Sequence, residues 1–240
     1  MTSTTKKNGR YGNQFIRNIA VSLLAEKLDL KVNYSSEKET SNLGIKLFSG
    51  EKIFEKTIIL DEKNYFDNHF EVNFDPNKAY FQNKEIINKI FEFLHRETIM
   101  NSVIMHNPFK ERYKNNNDAY IHIRLGDVAS KNPGSEYYLK ALNNIDFENL
   151  YISTDSKNHK IVTTIKRKYR NNKNVNIIER GKIQTIQFAS TCKHIILSHG
   201  SYSAIIGYLA YFSDVSYPYY DKENSWCGEI FNIPNWKEIK

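Results

Sequence analysis

The chain has 240 residues, 40% of them hydrophobic and 25% charged, and a formal net charge of +7. This is the composition of an ordinary folded soluble protein, long enough for one large domain or two compact α/β lobes, and no stretch approaches the roughly 18 apolar residues of a membrane span. The two cysteines, Cys192 and Cys227, form no CxxC pair or other metal-ligand spacing, so a metal-knuckle protein is excluded and a reducing compartment is the simpler expectation.

The first expected helix runs from about Asn13 to Leu28, with Phe15, Ile19 and Leu23 at helical spacing. Ahead of it, Asn8-Gly9-Arg10-Tyr11-Gly12-Asn13-Gln14 sets two glycines before the first turn. Such a turn either presents backbone N–H groups to an anion or only caps the helix. Lys31–Tyr34 and Thr57–Leu60 read as short strands. Asn83–Leu94 puts Ile86, Ile87, Ile90, Phe91 and Leu94 on one face of an amphipathic helix. The polar, aperiodic segment Lys110–Asp118 reads as a linker, dividing the chain into lobes 1–115 and 116–240.

After Asp118 the pattern becomes regular. Strands are expected at Ala119–Arg124, Asn149–Ser153, Val175–Glu179, His194–Ser198 and Val215–Tyr217, with helices near Glu136–Asn143, Lys157–Tyr169, Ile183–Thr191 and Tyr202–Phe212. Alternation of this kind predicts right-handed crossovers and a parallel sheet. Ligands bind such sheets at the carboxyl ends of the strands, so the loops beginning at Arg124, Thr154, Glu179 and His199 should carry the chemistry. The one dense basic run, Lys166-Arg167-Lys168-Tyr169-Arg170, reads as a solvated helix end. No basic groove with stacking aromatics is visible, so nucleic acid is not an expected partner.

Two loops stand out. In His122-Ile123-Arg124-Leu125-Gly126-Asp127, period-two geometry puts His122 and Arg124 on one face of a strand end. An arginine there can fork onto a diphosphate and stabilise charge on a leaving phosphate. The alternative is an Arg–Asp pair internal to the turn, with His122 a satisfied, semi-buried residue. In Leu197-Ser198-His199-Gly200-Ser201-Tyr202-Ser203-Ala204, a strand runs into a helix whose free N–H groups suit a phosphate. Ser201 and Ser203 are placed to cap that helix, which is also the simpler reading of the segment.

These pieces resemble a known set. His122 to Asp127 resembles the HxRRxD motif of α1,2-, α1,6- and protein O-fucosyltransferases. Glu136-Tyr137-Tyr138-Leu139-Lys140-Ala141 resembles the YYxKA stretch of the α1,2 enzymes, and Ser153-Thr154-Asp155 their Ser-Asp-Asp segment. Cys192-Lys193-His194 with Leu197 to Ser203 resembles their CKH…NSxFSWWG stretch, and Gly9 to Gln14 the GRFGNQ opening of protein O-fucosyltransferases. The order and spacing match from about residue 8 to 215, with no recognisable motif over about 35–115. The resemblance implies an α/β protein of two Rossmann-like lobes (the GT-B arrangement), with the donor GDP-fucose held by the C-terminal lobe and no metal or other cofactor. The activity implied is inverting transfer of fucose to a glycan or glycoconjugate hydroxyl, with galactose O2 favoured. Arg124 would bind the β-phosphate; for a catalytic base Asp127 and Glu136 are the nearest carboxylates in the motif region, with the alternative that Asp127 only holds the turn. His122 would lie near the ribose or diphosphate, and Ser198, Ser201, Tyr202 and Ser203 near the phosphates. Arg10, Gly12 and Asn13 would approach from the first lobe, and Glu136 and Asp155 complete the substrate-binding set.

Three positions depart from the pattern. Leu125 replaces a second arginine, Ala204-Ile205-Ile206 replaces an aromatic pair, and Thr185 or a neighbour stands where relatives carry an acid that reads guanine, a role Glu179 could fill. Two other readings therefore stay open: a transferase using a different nucleotide sugar, and a catalytically inactive nucleotide- or sugar-binding homologue. Met1 to Lys7 carries no apolar run behind a basic start, so no signal peptide is expected and the location expected is cytoplasmic, with a peripheral visit to a membrane surface compatible.

Overall fold

The computed structural model describes residues 1–5, 9–221 and 226–240. The chain divides into two compact units, Met1–His106 with Cys227–Ile230, and Asn107–Trp226 with Phe231–Lys240. The polar stretch 110–118 lies wholly in the second unit and contains a 3-10 turn at Lys110–Arg112.

The first unit opens with β1 (Thr2–Ser3), α1 (Tyr11–Leu28), β2 (Val32–Asn33) and α2 (Glu37–Ser41). It continues with β3 (Thr57–Ile59), β4 (Asn73–Asp75), α3 (Lys84–Leu94) and α4 (Glu97–His106). Its strands pair in parallel, β1 with β2 and β3 with β4. Helix α1 is not the one-sided amphipathic helix its apolar spacing predicts, because Gln14, Arg17, Asn18 and Ser22 are buried together with Phe15, Ile16 and Ile19. Asn18 is bonded at both amide atoms: the Thr4 hydroxyl donates to Asn18 Oδ1 at 2.7 Å, and Asn18 Nδ2 donates to the Ser35 carbonyl at 2.5 Å. Helix α3 follows most of its pattern, with Asn83 as N-cap accepting from the Ile86 N–H at 3.0 Å and Ile86, Ile87, Ile90 and Leu94 buried, but Phe91 is only half-buried and Phe93 is buried in addition.

The second unit is a parallel six-stranded sheet flanked by helices, compatible with a Rossmann-like fold. In chain order it runs β5 (Ala119–Ile123), α5 (Gly134–Asn143), β6 (Asn149–Thr154), α6 (Lys160–Tyr169), β7 (Asn174–Ile177), α7 (Lys182–Ala189), β8 (His194–Ile196), α8 (Ser201–Tyr208), β9 (Asp214–Pro218) and β10 (Lys237–Ile239). The spatial order is β10-β9-β8-β5-β6-β7, so β5 and β8, distant in sequence, lie side by side. The alternation along β5 divides its neighbours. Ala119, Ile121 and Ile123 enter an apolar cluster with Tyr138 of α5 and Val162 and Ile165 of α6. His122 points the other way, its ring 5.3 Å from that of Tyr202 on α8. Helices thus cover both faces. The basic run 166–168 is the exposed last turn of α6, where positive charge suits the helix dipole. Among the described residues no helix is long and apolar enough to cross a membrane.

Candidate functional site

The strand order places the site. From β5 the chain moves outward to β6 and β7, then crosses back to lay β8 on the other flank of β5. The connections leave β5 and β8 in opposite directions, which opens a crevice above their carboxyl ends. The two segments singled out from sequence, Arg124–Asp127 and Leu197–Ser201, are the ones that follow these two strands.

Arg124 is held from both sides. Its N–H donates to Ser198 Oγ at 3.4 Å, and its carbonyl accepts from Asn132 Nδ2 at 2.8 Å. The guanidinium donates from Nη2 to Asp127 Oδ1 at 3.2 Å, while its buried Nε has no hydrogen-bond partner among the described residues. The Arg124 side chain is 14% exposed and that of Asp127 47%, so the pair joins a mostly buried cation to a solvated carboxylate. The Arg–Asp contact within the turn therefore exists, yet leaves part of the guanidinium unsatisfied.

No serine caps α8. Its N-cap is Gly200, at φ 104° and ψ 157°, with no side-chain capping bond, and Ser201 is the first helical residue. Ser203 is fully buried, and its Oγ instead accepts the Ser198 N–H at 2.8 Å, closing the loop on itself. Gly200 is required twice over. Its φ lies where side chains are strained, and a Cβ there would come within 3.4 Å of Arg124 Nη1 and 3.2 Å of the Trp226 ring. A guanidinium and the positive end of a helix thus sit together, an arrangement favourable chiefly when an anion lies between them.

His122 lies two residues before Arg124 and is 8% exposed, with Nδ1 buried and lacking a hydrogen-bond partner among the described residues. Burial, aided by the Arg124 charge and opposed by Asp155, lowers its pKa to about 4, so the imidazole is neutral at pH 7. The unfolded chain takes up a proton near pH 6.5 that the folded protein refuses, so this stability is complete above that pH and is lost as pH falls toward about 4. Urea unfolding at pH 7.5 and 4.5 should show the wild type losing about 2–3 kcal/mol more than His122→Gln on acidification. Equal losses would remove the neutral buried imidazole from the account.

The remaining sequence-predicted residues take several positions. Asp155 follows β6 and accepts the Leu125 N–H at 2.8 Å, its other oxygen filling the space a Cβ on Gly126 would need. Asp155 thus fixes the turn that carries Arg124. Glu136 is exposed in the first turn of α5. Tyr202 donates its hydroxyl to the Lys182 carbonyl at 2.7 Å, linking α8 to the start of α7. In the first unit, Arg10 is the exposed N-cap residue of α1, and Gly12 lies inside its first turn rather than before it. Asn13 accepts from Gln82 Nε2 at 3.0 Å, and its side chain lies against Gly9. Asn8, the first residue of that motif, lies outside the described residues.

The departures from the resemblance have local causes. Leu125 belongs to the apolar cluster under α5 and is 1% exposed, so an arginine there would lose its place in the core. Ala204, Ile205 and Ile206 are wholly buried, so they pack α8 and do not form an aliphatic pocket wall. Thr185 is buried with its hydroxyl on the Arg180 carbonyl at 3.3 Å, and Glu179 is an exposed residue paired with Lys157.

Sequence reasoning noted Tyr137 and Tyr138 only as part of a motif and gave no role to them or to Asn132, the residues that brace the site. Tyr137 donates its hydroxyl to the Leu197 carbonyl at 2.7 Å, and Tyr138 accepts from Asn132 Nδ2 at 3.2 Å. The Tyr-Tyr pair of α5 therefore ties the loop after β8 and the Asn132 that holds Arg124. Two large aromatics carrying hydroxyls on the buried face of a helix were the available signal, since such groups need partners. Among the described residues no group of three or more His, Cys, Asp or Glu side chains could hold a metal ion. No family model matches the chain, and no curated protein matches it.

Proposed function

We propose that the protein is a GDP-sugar-dependent glycosyltransferase of the two-lobe GT-B type, moving fucose from GDP-fucose to a glycan hydroxyl, with galactose O2 the favoured acceptor position. The observation that carries this reading is the pairing of Arg124 with the N-terminus of α8 across the crevice between β5 and β8. A diphosphate fits it: a phosphate oxygen meets the part of the guanidinium that Asp127 does not engage, and the helix end stabilises the rest of the charge. In the reaction, the acceptor oxygen bonds to C1 of fucose from the face opposite GDP. The C1–O bond to the β-phosphate breaks, its electron pair stays on the phosphate, and the acceptor's proton passes to a carboxylate or to water. The transition state has oxocarbenium character, so the leaving charge is what the site must hold. Asp127, ion-paired with Arg124, is the carboxylate nearest this chemistry in the motif.

The donor base is the open part of the proposal. Thr185 has no carboxylate to offer guanine, and Glu179 is engaged by Lys157, which favours testing other nucleotides alongside GDP. Calorimetric titration with GDP, UDP and ADP should rank GDP tightest. GDP-fucose with a panel of galactosides, assayed with EDTA present, should then release GDP in step with product. Tighter binding of UDP or ADP would transfer the reading to another nucleotide sugar. GDP binding with no transfer to any acceptor would favour an inactive homologue.

A further inference from the structure

We propose that Trp226 is the wall on which the donor's sugar ring packs, beside the carbon that undergoes substitution; this rests on the nucleotide-sugar reading above. The chain has two tryptophans, and they are placed differently. Trp236 stacks on Tyr208 at 5.7 Å and joins the Tyr217–Phe231 aromatic group, a packing role. Trp226 is 45% exposed, with its ring centroid 5.9 Å from the Arg124 guanidinium carbon. Its Cη2 comes within 3.2 Å of where a Gly200 Cβ would stand, so the absence of a side chain at Gly200 lets indole and guanidinium approach one another.

Two arguments assign the sugar rather than the base to this ring. The first is connectivity. If Arg124 holds the phosphate next to the sugar, C1 is one oxygen away, whereas the base is separated by a further phosphate and a ribose. A ring that touches the guanidinium therefore meets the sugar first. The second is charge. Positive charge grows at C1 as the bond to phosphate breaks, and the face of an indole attracts a cation. Trp226 is 45% exposed with Arg124 against it, so its uncovered surface is open to the sugar. A half-exposed indole also gains from being covered by the apolar C–H face of a hexose. No sequence motif pointed to Trp226, and it supplies near Arg124 an aromatic surface that Ala204, Ile205 and Ile206 do not provide.

The test compares GDP and GDP-fucose on wild type, Trp226→Ala and Trp226→Phe by calorimetry, with circular dichroism as the folding control. GDP should bind all three within about threefold. GDP-fucose should bind Trp226→Ala at least tenfold more weakly than wild type, and Trp226→Phe should keep most of the affinity. GDP-fucose should also quench an emission component of the wild type that Trp226→Phe lacks. Equal weakening of GDP and GDP-fucose in Trp226→Ala would move the indole to the nucleotide and overturn the proposal, as would no change in either. If neither ligand binds the wild type, the nucleotide-sugar reading fails and this inference falls with it, a result distinct from selective loss in the variant.

Discussion

Arg124→Ala should lose most transfer activity while remaining folded. Removing one preorganised donor from a developing oxyanion costs roughly 3–4 kcal/mol, or about 10²–10³ in kcat. The Arg124 side chain is largely buried, but its ionic partner among the described residues, Asp127, is solvated, so the variant does not strand Asp127 as a buried charge. The backbone bonds to Ser198 and Asn132, which use the Arg124 N–H and carbonyl, survive truncation of the side chain. Arg124→Lys should recover only part of the loss, because an ammonium cannot make the two parallel bonds of a guanidinium. Initial rates with GDP-fucose and acceptor, together with melting temperatures, check this. A well-folded Arg124→Ala protein with near-normal rates would remove the guanidinium from the mechanism.

The largest effect on stability is expected at the opposite end of β5. There Arg112 donates from Nη2 to Asp118 Oδ2 at 2.7 Å and from Nε to Thr191 Oγ1 at 3.1 Å, and its guanidinium lies 4.5 Å from the Phe188 ring centre. Asp118 is 2% exposed, and its second oxygen accepts from Asn149 Nδ2 at 2.6 Å. Breaking a buried pair by removing one partner costs about 3–5 kcal/mol, since the remaining charge is stranded. Arg112→Met should therefore destabilise the protein by about 3 kcal/mol, the lower end, because the arginine side chain is 25% exposed. For a protein of this size that is a fall of roughly 6–12 °C in melting temperature. Asp118→Asn added to Arg112→Met should restore part of it by removing the stranded charge. A melting temperature unchanged in Arg112→Met would mean that the ion pair contributes little.

The second unit was the more legible half, for a physical reason. The central strands β5 and β8 are short apolar runs, buried along their length as a parallel sheet covered on both faces requires, and helix-length segments separate the strands from β5 to β9. Even the facing was readable: Ile121 and Ile123 entered the core and His122 and Arg124 the opposite side, as alternation demands. Strands β1 (Thr2–Ser3), β4 (Asn73–Asp75) and β10 (Lys237–Ile239) were missed because two or three residues, mostly polar, carry no periodicity. Helix α4 was missed because of its buried residues only Val103 marks an inward face. In the site, Arg124 and the loop after β8 could be found because a strand end and a helix start bear a local signature. The bracing by Tyr137 and Asn132, and the approach of Trp226, depend on contacts made across about 60, 8 and 100 residues of chain, respectively, and only folding brings such groups together. The serine caps were misjudged because a glycine with left-handed φ took the N-cap position, leaving Ser203 to close the loop from within.

Cys227–Ile230 groups with the first unit, where the Glu229 N–H donates to the Gln82 carbonyl at 2.8 Å and the Lys84 N–H to the Glu229 carboxylate at 3.1 Å. The chain then returns, and Phe231–Lys240 adds strand β10 to the edge of the six-stranded sheet. During synthesis, which proceeds from the N-terminus, the sheet must wait for its outermost strand until Lys237–Ile239 has emerged from the ribosome. A cut between Pro218 and Cys227 would detach both the Cys227–Ile230 segment of the first unit and strand β10 of the second, so dividing the polypeptide there should not leave two independently folding halves.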